Sequence, residues 1–333
     1  MKVREYHPKE MPADFEDLLI RKYGREKNFG YYLSEEKKSF LFCLDNANVT
    51  FQPIAVYDAE KMQAHISLIL DKRLPTREAF FGFLEVSEDA NLFNLIWNKL
   101  IKRARTAGVT MLKGPVNGSI WHQYRCIKKS DGSEFFKSEL ISEPYYYDFL
   151  VSHKPVNEMQ YYSAYREKFE AILVAGETAY GKLETAGFTI KDTQNMNLEE
   201  LKTVAALSRL VFRNSWGYTE LTEKEFMQLY SSEKLDTHLS KIYLLYKENN
   251  IVGFCGTLKE VDSTLICKTI CVLPQYQGIG LGSALAYKVH LDASKNNIKK
   301  IIYALIREGN NIKNFPKEDA VIFRQYAAFE FRI

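Results

Sequence analysis

Three glycines alternate at positions 278, 280 and 282 in the stretch LPQYQGIGLGSALAYKV, which covers residues 273–289. An apolar run precedes these glycines, and a run with apolar residues at helical spacing follows them. Glycine lets a backbone approach a ligand without a Cβ in the way. The first amide groups of a helix have no intrahelical partner and lie at the positive end of the helix dipole. A strand, a glycine-rich loop and a helix in this order therefore indicate a binding site for a phosphate or diphosphate.

Two common phosphate-loop patterns do not fit this stretch. The dinucleotide pattern G-x-G-x-x-G fails because Ser283 stands where its third glycine is required. The Walker pattern G-x-x-x-x-G-K-S/T fails because no lysine follows the glycines directly. The pattern that remains is V-x-P-x-x-Q-G-x-G-x-G from Val272 to Gly282, in which Pro274 ends strand pairing just before the turn.

Apolar runs with strand character and runs with helical periodicity alternate along the chain, which predicts an α/β fold. The predicted strands cover residues 50–58, 64–73, 79–86, 109–119, 263–274, 299–311 and 320–333, with a hairpin over 241–260. The predicted helices cover residues 12–24, 91–108, 199–212, 223–232 and the run from the glycines to Lys295. The rest of the first 45 residues and residues 121–147 are predicted to be irregular.

One order of elements occurs twice in this reading. Strand, loop, helix, turn, strand and Asn follow one another from Phe80 to Asn117 and again from Leu265 to Asn310. Any two α/β segments can be overlaid in this way, so the repeat alone leaves both interpretations open. A true repeat would divide the chain near residues 165–180, and residues 171–188 would be a connector or a helix.

The stretch ICVLPQYQGIGLGSAL resembles the acyl-CoA-binding signature of the GNAT acetyltransferase superfamily, whose core Q/R-x-x-G-x-G/A is met by Gln277, Gly280 and Gly282. The segments KGPVNGSIWHQYR, SEPYYYDFL and WGYTELTEKEF precede it, and together they resemble a group of tandem-GNAT proteins over most of the chain after residue 45. The resemblance implies two tandem GNAT-like folds of class α/β, each a mixed, mostly antiparallel twisted sheet flanked by helices. Residues 1–170 would form a GNAT-like domain without the cofactor loop, and residues 171–333 the acyl-CoA-binding catalytic domain.

The first copy lacks the glycine loop. Where the second copy has PQYQGIGLG, the first has EVSEDAN, which contains Glu85, Glu88 and Asp89. These acidic side chains are expected to repel a diphosphate. One acyl-CoA site per chain is therefore expected.

By this resemblance, the strand ending at Val272 would bind the pantetheine arm of acetyl-CoA, and the loop after it would bind the diphosphate. The implied cofactor-binding residues are Ile270, Cys271, Val272, Gln277, Gly278, Ile279, Gly280, Leu281, Gly282, Ser283 and Asn310. Lys288 and Lys295 either add positive charge for the cofactor phosphates or are solvated surface residues. No metal is implied.

The resemblance implies direct transfer of an acyl group, most simply acetyl, from acetyl-CoA to the primary amine of a small molecule or peptide. The catalytic candidates are weakly indicated and comprise Lys268, Thr269, Tyr218 and His122. Many GNAT enzymes use a tyrosine as proton donor to the thiol, but Phe315 and Pro316 occupy that region here. The alternative donors are Tyr218, Tyr303 and Tyr326. Glu260 and Asp262 are expected to be solvated, and loss of the amine proton to bulk water stays open.

The acceptor pocket is implied at four aromatic residues, Trp216 and Tyr218 in the second half and Trp121 and Tyr124 in the first. Two other functions stay open beside N-acetyl transfer. One is a protein that binds acetyl-CoA as a sensor or scaffold without catalysis. The other is a tandem-GNAT transferase of aminoacyl or long acyl groups, although such enzymes typically lack the intact glycine signature.

Composition disfavours several further classes. The net charge is +3 and the basic residues are scattered, unlike the basic stripe of a nucleic-acid-binding surface. The five cysteines show no metal-ligand spacing. No run approaches the roughly 18 apolar residues of a membrane span, and the first residues lack a signal peptide. We therefore predict a cytoplasmic protein whose partner is an amine acceptor, without nucleic-acid or membrane partners; the sequence does not indicate an oligomeric state.

Overall fold

A computed structural model describes residues 1–7, 10, 12–183, 185–230, 239–260, 262–309, 317 and 319–333, with residues 239 and 240 described by their backbone only. The chain forms two compact units. The first unit comprises residues 1–161, 217–219 and 324–333, and the second comprises residues 162–216 and 220–323. The predicted domain limits, 1–170 and 171–333, stay a prediction.

The elements follow in chain order. The strands are β1 (Lys2–Glu5), β2 (Val49–Asp58), β3 (Lys61–Asp71), β4 (Glu78–Val86), β5 (Met111–Gly114), β6 (Val116–Asn117), β7 (Gln123–Tyr124), β8 (Cys126–Ser130), β9 (Asn157–Arg166), β10 (Phe188–Thr193), β11 (Leu239–Lys247), β12 (Asn250–Lys259), β13 (Thr264–Val272), β14 (Lys300–Arg307) and β15 (Val321–Arg332). The helices are α1 (Phe15–Tyr23), α2 (Phe29–Asp45), α3 (Ala90–Thr106), α4 (Tyr145–Ser152), α5 (Glu170–Gly181), α6 (Leu198–Phe212), α7 (Glu223–Tyr230) and α8 (Leu281–Lys295).

The sheet of the first unit has the strand order β1-β2-β3-β4-β5-β15. Its neighbours are antiparallel except β4 and β5, which run parallel. A parallel pair needs a crossover connection, and α3 supplies it. The buried face of α3, with Phe93, Ile96, Trp97 and Leu100, packs into the same apolar cluster as residues of β2, β3 and β4.

The sheet of the second unit has the order β10-β11-β12-β13-β14, again antiparallel except for the last pair. Here α8 is the crossover between the parallel strands β13 and β14. Its apolar residues Leu281, Ala284, Leu285 and Val289 lie in the core with residues of β12 and β13. Each unit therefore has a mixed, mostly antiparallel sheet flanked by helices, which confirms the predicted fold class.

Several segments differ from the sequence-based expectation or decide between alternatives that it left open. Helix α2 occupies a region predicted to be irregular. The prediction missed this helix because two of its buried positions, Glu36 and Ser39, are polar and hide the helical period of the apolar residues. Strands β7 and β8 are short extended pieces within residues 121–147, where no element is predicted. Residues 171–181, read as a connector or a helix, belong to α5.

Candidate functional site

Strands β13 and β14 of the second unit run side by side only along their first halves. Their parallel register ends where Cys267 lies opposite Tyr303. β13 continues to Val272 and remains paired with β12 along its other edge. Among the described residues, no residue of β14 is in register with β13 from Lys268 onward. The two strands therefore diverge and leave an open strand edge that leads to the glycine loop.

A β-bulge lies where the strands diverge. Gly256 of β12 pairs with Thr269 and the next residue, Thr257, pairs with Cys267, so Lys268 is an extra residue on β13. A bulge bends its strand and redirects the side chains around it. Lys268 is exposed and Thr269 is half-buried. The structure thus brings these two predicted catalytic candidates to the start of the open edge.

The backbone of β13 beyond the bulge presents polar groups to this edge. The amide of Leu273 donates to the carbonyl of Val252 on β12 at 2.9 Å. Because backbone groups alternate in direction along a strand, those of Ile270 and Val272 point to the open edge, whereas those of Cys271 point to β12. Predicted backbone contacts to a ligand are therefore available at Ile270 and Val272 rather than at Cys271.

Gln277 connects the strand to the glycine loop. Its Nε2 donates to the carbonyl of Val272 at 2.8 Å. A single 3₁₀ turn, Pro274–Tyr276, lies between the two residues. The glutamine of the signature therefore fixes the loop against the end of β13.

The glycine loop leaves the start of α8 open. Gly280 precedes the helix in the left-handed conformation, with φ of 89°, and no side chain caps the helix. The first intrahelical bond runs from the amide of Ala284 to the carbonyl of Gly280, at 3.0 Å. The amides of Leu281, Gly282 and Ser283 precede that bond and point out of the helix end. Such amides, with the dipole behind them, bind phosphate-type anions.

The outer side of the loop has room for a ligand. Gly278 has φ of 83°, and a Cβ built at Gly278 or at Gly282 would meet no atom within 4 Å. A Cβ at Gly280 would lie 3.2 Å from the Cβ of Ala179 on α5. Ile279 is 62% exposed at the loop tip. The loop is therefore supported by α5 on one side and open on the other, as a diphosphate site requires.

Helix α3 is the counterpart of α8 in the first unit, and the side chain of Asp89 caps its N-terminus. Asp89 precedes α3, and its carboxylate accepts from the amides of Asn91 at 2.8 Å and Leu92 at 3.1 Å. These are the groups that would face an anion. The expected loss of the phosphate site in the first copy thus has a direct cause at Asp89, while Glu88 is exposed beside it.

Glu85 does not act as expected from the sequence. It is buried, and its Oε2 accepts from Nζ of Lys22 at 2.9 Å, from the hydroxyl of Tyr23 at 3.0 Å and from that of Tyr146 at 2.9 Å. The prediction that Glu85 repels a diphosphate is wrong, because its charge is compensated in the interior.

The strand divergence of the first unit is also filled. β4 and β5 stop pairing after Phe80, as β13 and β14 do in the second unit. A Cβ at Gly82 would lie 1.9 Å from the carbonyl oxygen of Val116 on β6. The Oδ1 of Asn117, also on β6, accepts from the amide of Phe83 at 2.7 Å. Strand β6 therefore occupies the space that stays open beside β13.

Two tyrosines considered as proton donors have buried partners. The Nδ1 of His290 lies 2.7 Å from the carbonyl of Ala286, which can only accept, so Nε2 is the acceptor for the hydroxyl of Tyr303 at 2.6 Å. Burial lowers the pKa of His290 to about 4, which keeps the ring neutral, and burial raises the pKa of Tyr303. In the first unit, the hydroxyl of Tyr326 donates to Glu139. Both hydroxyl groups are engaged within the fold.

Three of the aromatic residues predicted for the acceptor pocket lie in two different aromatic pairs. In the first unit, the rings of Trp121 and Tyr218 lie 5.9 Å apart, and the indole of Trp121 donates to the carbonyl of Thr219 at 2.8 Å. The ring of Tyr124 is 5.6 Å from that of Tyr161. The structure thus brings Trp121 and Tyr218 together but places Tyr124 in another aromatic pair.

His122 belongs to the first unit and Trp216 to the second. The Nδ1 of His122 is 2.9 Å from the hydroxyl of Ser119, and its ring is 4.5 Å from that of Phe42. Trp216 belongs to the second unit and is half-buried. Their predicted catalytic and acceptor roles stay predictions.

Lys288 and Lys295 were expected to be either phosphate-binding or solvated, and Glu260 was expected to be solvated. Lys288 pairs with Asp292 at 2.8 Å along α8, so its charge is used within the helix. Lys295 ends α8, about 20 Å from the glycine loop by helix rise. Glu260, expected to be solvated, is buried. Asn310, Phe315 and Pro316 lie outside the described residues.

The support that α5 gives to the glycine loop was not predicted from the sequence. A Cβ at Gly176 would lie 2.7 Å from the Cβ of Tyr287 on α8, so the two helices approach closely at this glycine. Ala179 follows one turn later and lies against Gly280. The signal in the sequence was two small residues three positions apart, the spacing of one helix face.

No group of three or more His, Cys, Asp or Glu side chains is placed to hold a metal ion in the described part of the chain. None of the described helices has the length and apolar character needed to cross a membrane.

Part of the chain matches a known family, and the whole chain is similar in structure to solved proteins. Residues 238–327 match the acetyltransferase (GNAT) domain family. No curated protein matches the chain in sequence. A tandem GNAT protein from the clavulanic acid biosynthesis pathway has a similar structure, with a TM-score of 0.55 at 10% identity over 99% of this chain and 98% of that one. A GCN5-related N-acetyltransferase from Sphaerobacter thermophilus gives 0.54 at 10% identity, over 99% and 95%. A probable N-acyltransferase from Enterococcus faecalis V583 gives 0.60 at 10%, over 100% and 73%.

The fold and the open glycine loop therefore define a GNAT-type α/β protein. Residues 238–327 match the GNAT domain family, and the whole chain shares its fold with solved tandem GNAT proteins. The family match of residues 238–327 supports acyl transfer as the general activity of this part of the chain.

Proposed function

We propose that the chain is an acyl-CoA-dependent N-acyltransferase that transfers an acetyl group from acetyl-CoA to the primary amine of a small molecule or peptide. The observation that carries the proposal is the uncapped start of α8 behind Gly278 and Gly280, continuous with the open edge of β13. The proposal takes the protein to be cytoplasmic and to need no metal.

Each part of the site has a role in this reaction. The amides of Leu281, Gly282 and Ser283 would hold the diphosphate, and the backbone of Ile270 and Val272 the amide-containing pantetheine arm. An acyl group at the far end of that arm would lie toward the bulge at Lys268 and Thr269. Backbone amides there are the donors available for the oxyanion that develops on the acyl carbonyl.

The reaction requires a neutral amine. Its nitrogen forms a bond to the acyl carbon while the carbon–sulfur bond breaks, and the amine loses one proton while the sulfur gains one. Lys268 and Thr269 at the bulge are the described candidates nearest to this exchange along β13. Tyr218 and His122, together with the acceptor residues Trp121, Tyr124 and Trp216, keep their predicted roles within the proposal.

A second function is favoured by the tyrosines. Because Tyr303 donates to His290 and Tyr326 to Glu139, neither hydroxyl is disposed to protonate a thiolate. A protein that binds acetyl-CoA as a sensor, without turnover, would need no such donor. Release of free thiol in the presence of an amine library separates the two functions, since only the enzyme releases CoA.

The phosphate loop is tested by a matched pair of variants. Gly278→Asp places a side chain and a negative charge in the open loop, where φ is 83° and a Cβ meets no atom within 4 Å. Gly132→Asp is the control, because Gly132 has φ of 86° and equal space. We expect Gly278→Asp to abolish acetyl-CoA binding in calorimetry and Gly132→Asp to retain it. Equal affinity in the two variants would contradict the proposed site.

A further inference from the structure

Lys268 is a primary amine within the proposed acyl-CoA site. The sequence has no other lysine from Thr264 to Tyr287, the stretch that includes β13, the glycine loop and the start of α8. Lys268 is exposed, whereas Cys267 beside it is buried. It is the extra residue of the β-bulge, at the point where β14 leaves β13. The site therefore has an amine of its own at the start of the open strand edge.

Strand β13 places Lys268 in line with the proposed path of the pantetheine arm. The backbone groups of Val272 and Ile270 point to the open edge, and Lys268 lies two residues further from the glycine loop than Ile270. At a strand rise of about 3.3 Å per residue, the backbone of Lys268 is roughly 7 Å beyond that of Ile270. Because the side chain of lysine is a long, flexible stem, its amine can reach back to a thioester held beside Ile270.

The bulge has open space on the face to which Lys268 is directed. Cys255 of β12 and Cys267 of β13 both lie in the core that contains α8. Successive side chains of a strand point to opposite faces, so the next positions, Gly256 and Lys268, are directed to the other face. A Cβ built at Gly256 would meet no atom within 4 Å. Glycine inside a strand often marks a bulge or the close approach of a ligand, and here it leaves room for an acyl group beside the lysine.

We propose that the protein acylates itself at Lys268, using the acyl-CoA that is bound at its own glycine loop. This inference rests on the proposed acyl-CoA site and adds an acceptor within the chain. The neutral Nζ of Lys268 forms a bond to the acyl carbon while the carbon–sulfur bond breaks. The nitrogen loses one proton to water and the sulfur takes up one from water. The products are N-acetylated Lys268 and CoA, and no other reactant is needed.

Proximity distinguishes Lys268 from other lysines of the chain. A thioester and an amine that are held side by side react within one molecule, which raises the rate of their reaction. Lys295 is also exposed in the second unit, but it ends α8, about 20 Å from the glycine loop by helix rise. Acylation of Lys268 also replaces an ammonium group by a neutral amide, so the open edge loses a positive charge.

The test measures acetylation at each lysine separately. The wild-type protein is incubated with ¹³C-labelled acetyl-CoA and no added amine, and peptide mass spectrometry gives the labelled fraction of Lys268 and of Lys295 over time. We expect Lys268 to react at least about tenfold faster than Lys295. Its rate constant should not depend on protein concentration, because the reaction occurs within one molecule. Lys268 already acetylated in the purified protein, with Lys295 unmodified, would also support the proposal.

Two substitutions of lysine by arginine keep the positive charge and remove the acceptor. Lys268→Arg should lose the fast incorporation of one acetyl group that the intact mass of the wild type shows. Lys295→Arg is the matched control and should keep it. Fast incorporation that persists in Lys268→Arg would overturn the assignment to Lys268.

Calorimetry with acetyl-CoA separates a failure of this proposal from a failure of the proposed function. Gly278→Asp should lose acetyl-CoA binding and the fast acetylation of Lys268, while the slow reaction of Lys295 continues. A wild type that binds acetyl-CoA but acetylates Lys268 no faster than Lys295 would overturn self-acylation and leave the proposed function in place. A rate constant at Lys268 that rises with protein concentration, or that is unchanged in Gly278→Asp, would also overturn self-acylation. A wild type that does not bind acetyl-CoA would overturn both.

Discussion

Gly282 is the second residue of α8, and its added Cβ would meet no atom within 4 Å. Gly282→Asp should therefore affect stability and ligand binding in opposite directions. The substitution removes backbone freedom from the unfolded chain and places a carboxylate at the positive end of the helix, which together stabilise by about 1 kcal/mol. The same carboxylate occupies the space in front of the amides and repels a diphosphate.

Denaturant unfolding and calorimetry with acetyl-CoA measure both effects on Gly282→Asp. We expect a higher midpoint of unfolding together with loss of affinity by more than about tenfold. Retained affinity would place the ligand elsewhere, whereas a loss of stability would show that the start of α8 is not open.

The buried carboxyl group of Glu36 makes the stability of the first unit depend on pH. Burial raises the pKa of this carboxyl on α2 from 4.5 to about 8, although Asn117 donates to its Oε1 at 2.6 Å. The folded state thus keeps the proton at a pH where the unfolded chain has lost it. The stabilising contribution is complete below pH 4.5 and declines as the pH rises to about 8.

Glu36→Gln should flatten this decline, because the amide stays neutral at every pH. The free energy of unfolding, measured at several pH values between 5 and 8, should fall in the wild type relative to the variant by about 1 kcal/mol per pH unit. Glu35→Gln, on the same helix and only half-buried, is the control and should parallel the wild type. Parallel curves for all three proteins would contradict the buried neutral state.

The glycine loop could be predicted from sequence because its signal is local. Gln277, Gly280 and Gly282 stand within six residues, and their order fixes a strand, a turn and a helix. The contact of Trp121 with Thr219 could not be predicted, since 98 residues separate them in the chain. The burial of Arg125 and Glu85 could not be predicted either. Charged residues are mostly exposed, and only contacts with residues distant in the chain bury them.

At the scale of elements, α5 and α8 form the support of the loop. A Cβ at Gly176 would lie 2.7 Å from the Cβ of Tyr287, too close for α5 to stay in place. We expect Gly176→Ala to destabilise the second unit by about 1–3 kcal/mol and to weaken acetyl-CoA binding by shifting Ala179 away from Gly280.

The control for this prediction lies on the same helix. A Cβ at Gly181 meets no atom within 4 Å, so Gly181→Ala should be neutral or stabilising by up to about 1 kcal/mol. Thermal unfolding and acetyl-CoA titration of both variants separate helix propensity from helix packing. Equal behaviour of the two alanine variants would show that α5 does not support the loop.

Elements with a plain apolar period were predicted, and those with buried polar residues were not. α3 and α8 carry apolar residues at helical spacing and match the predicted spans. β9 was missed because its buried positions include Ser163 and Arg166, which break the apolar alternation of a strand. The hydroxyl of Ser163 accepts from the amide of Leu305 at 3.0 Å. No local sequence pattern predicts such a tertiary hydrogen bond.

At the scale of the whole molecule, two copies of one fold have unequal sites. In the first unit Asp89 caps α3 and β6 fills the strand divergence, whereas the second unit keeps both features open. We therefore expect acetyl-CoA to bind with a stoichiometry of one per chain. Calorimetry should give this value for the wild type and for Asp89→Ala, which loses a helix cap worth about 1 kcal/mol but not the filling by β6. A stoichiometry of two would contradict the closed first unit.

The first unit is assembled from separate parts of the chain. Residues 217–219 and 324–333 belong to it together with residues 1–161. Within β15, Phe329 pairs with Gly114 of β5, and Ala327 and Phe331 are buried in the same core as α3. During vectorial synthesis on the ribosome, this core therefore stays incomplete until β15 has emerged, so residues 1–161 cannot finish folding until residues 324–333 have been translated.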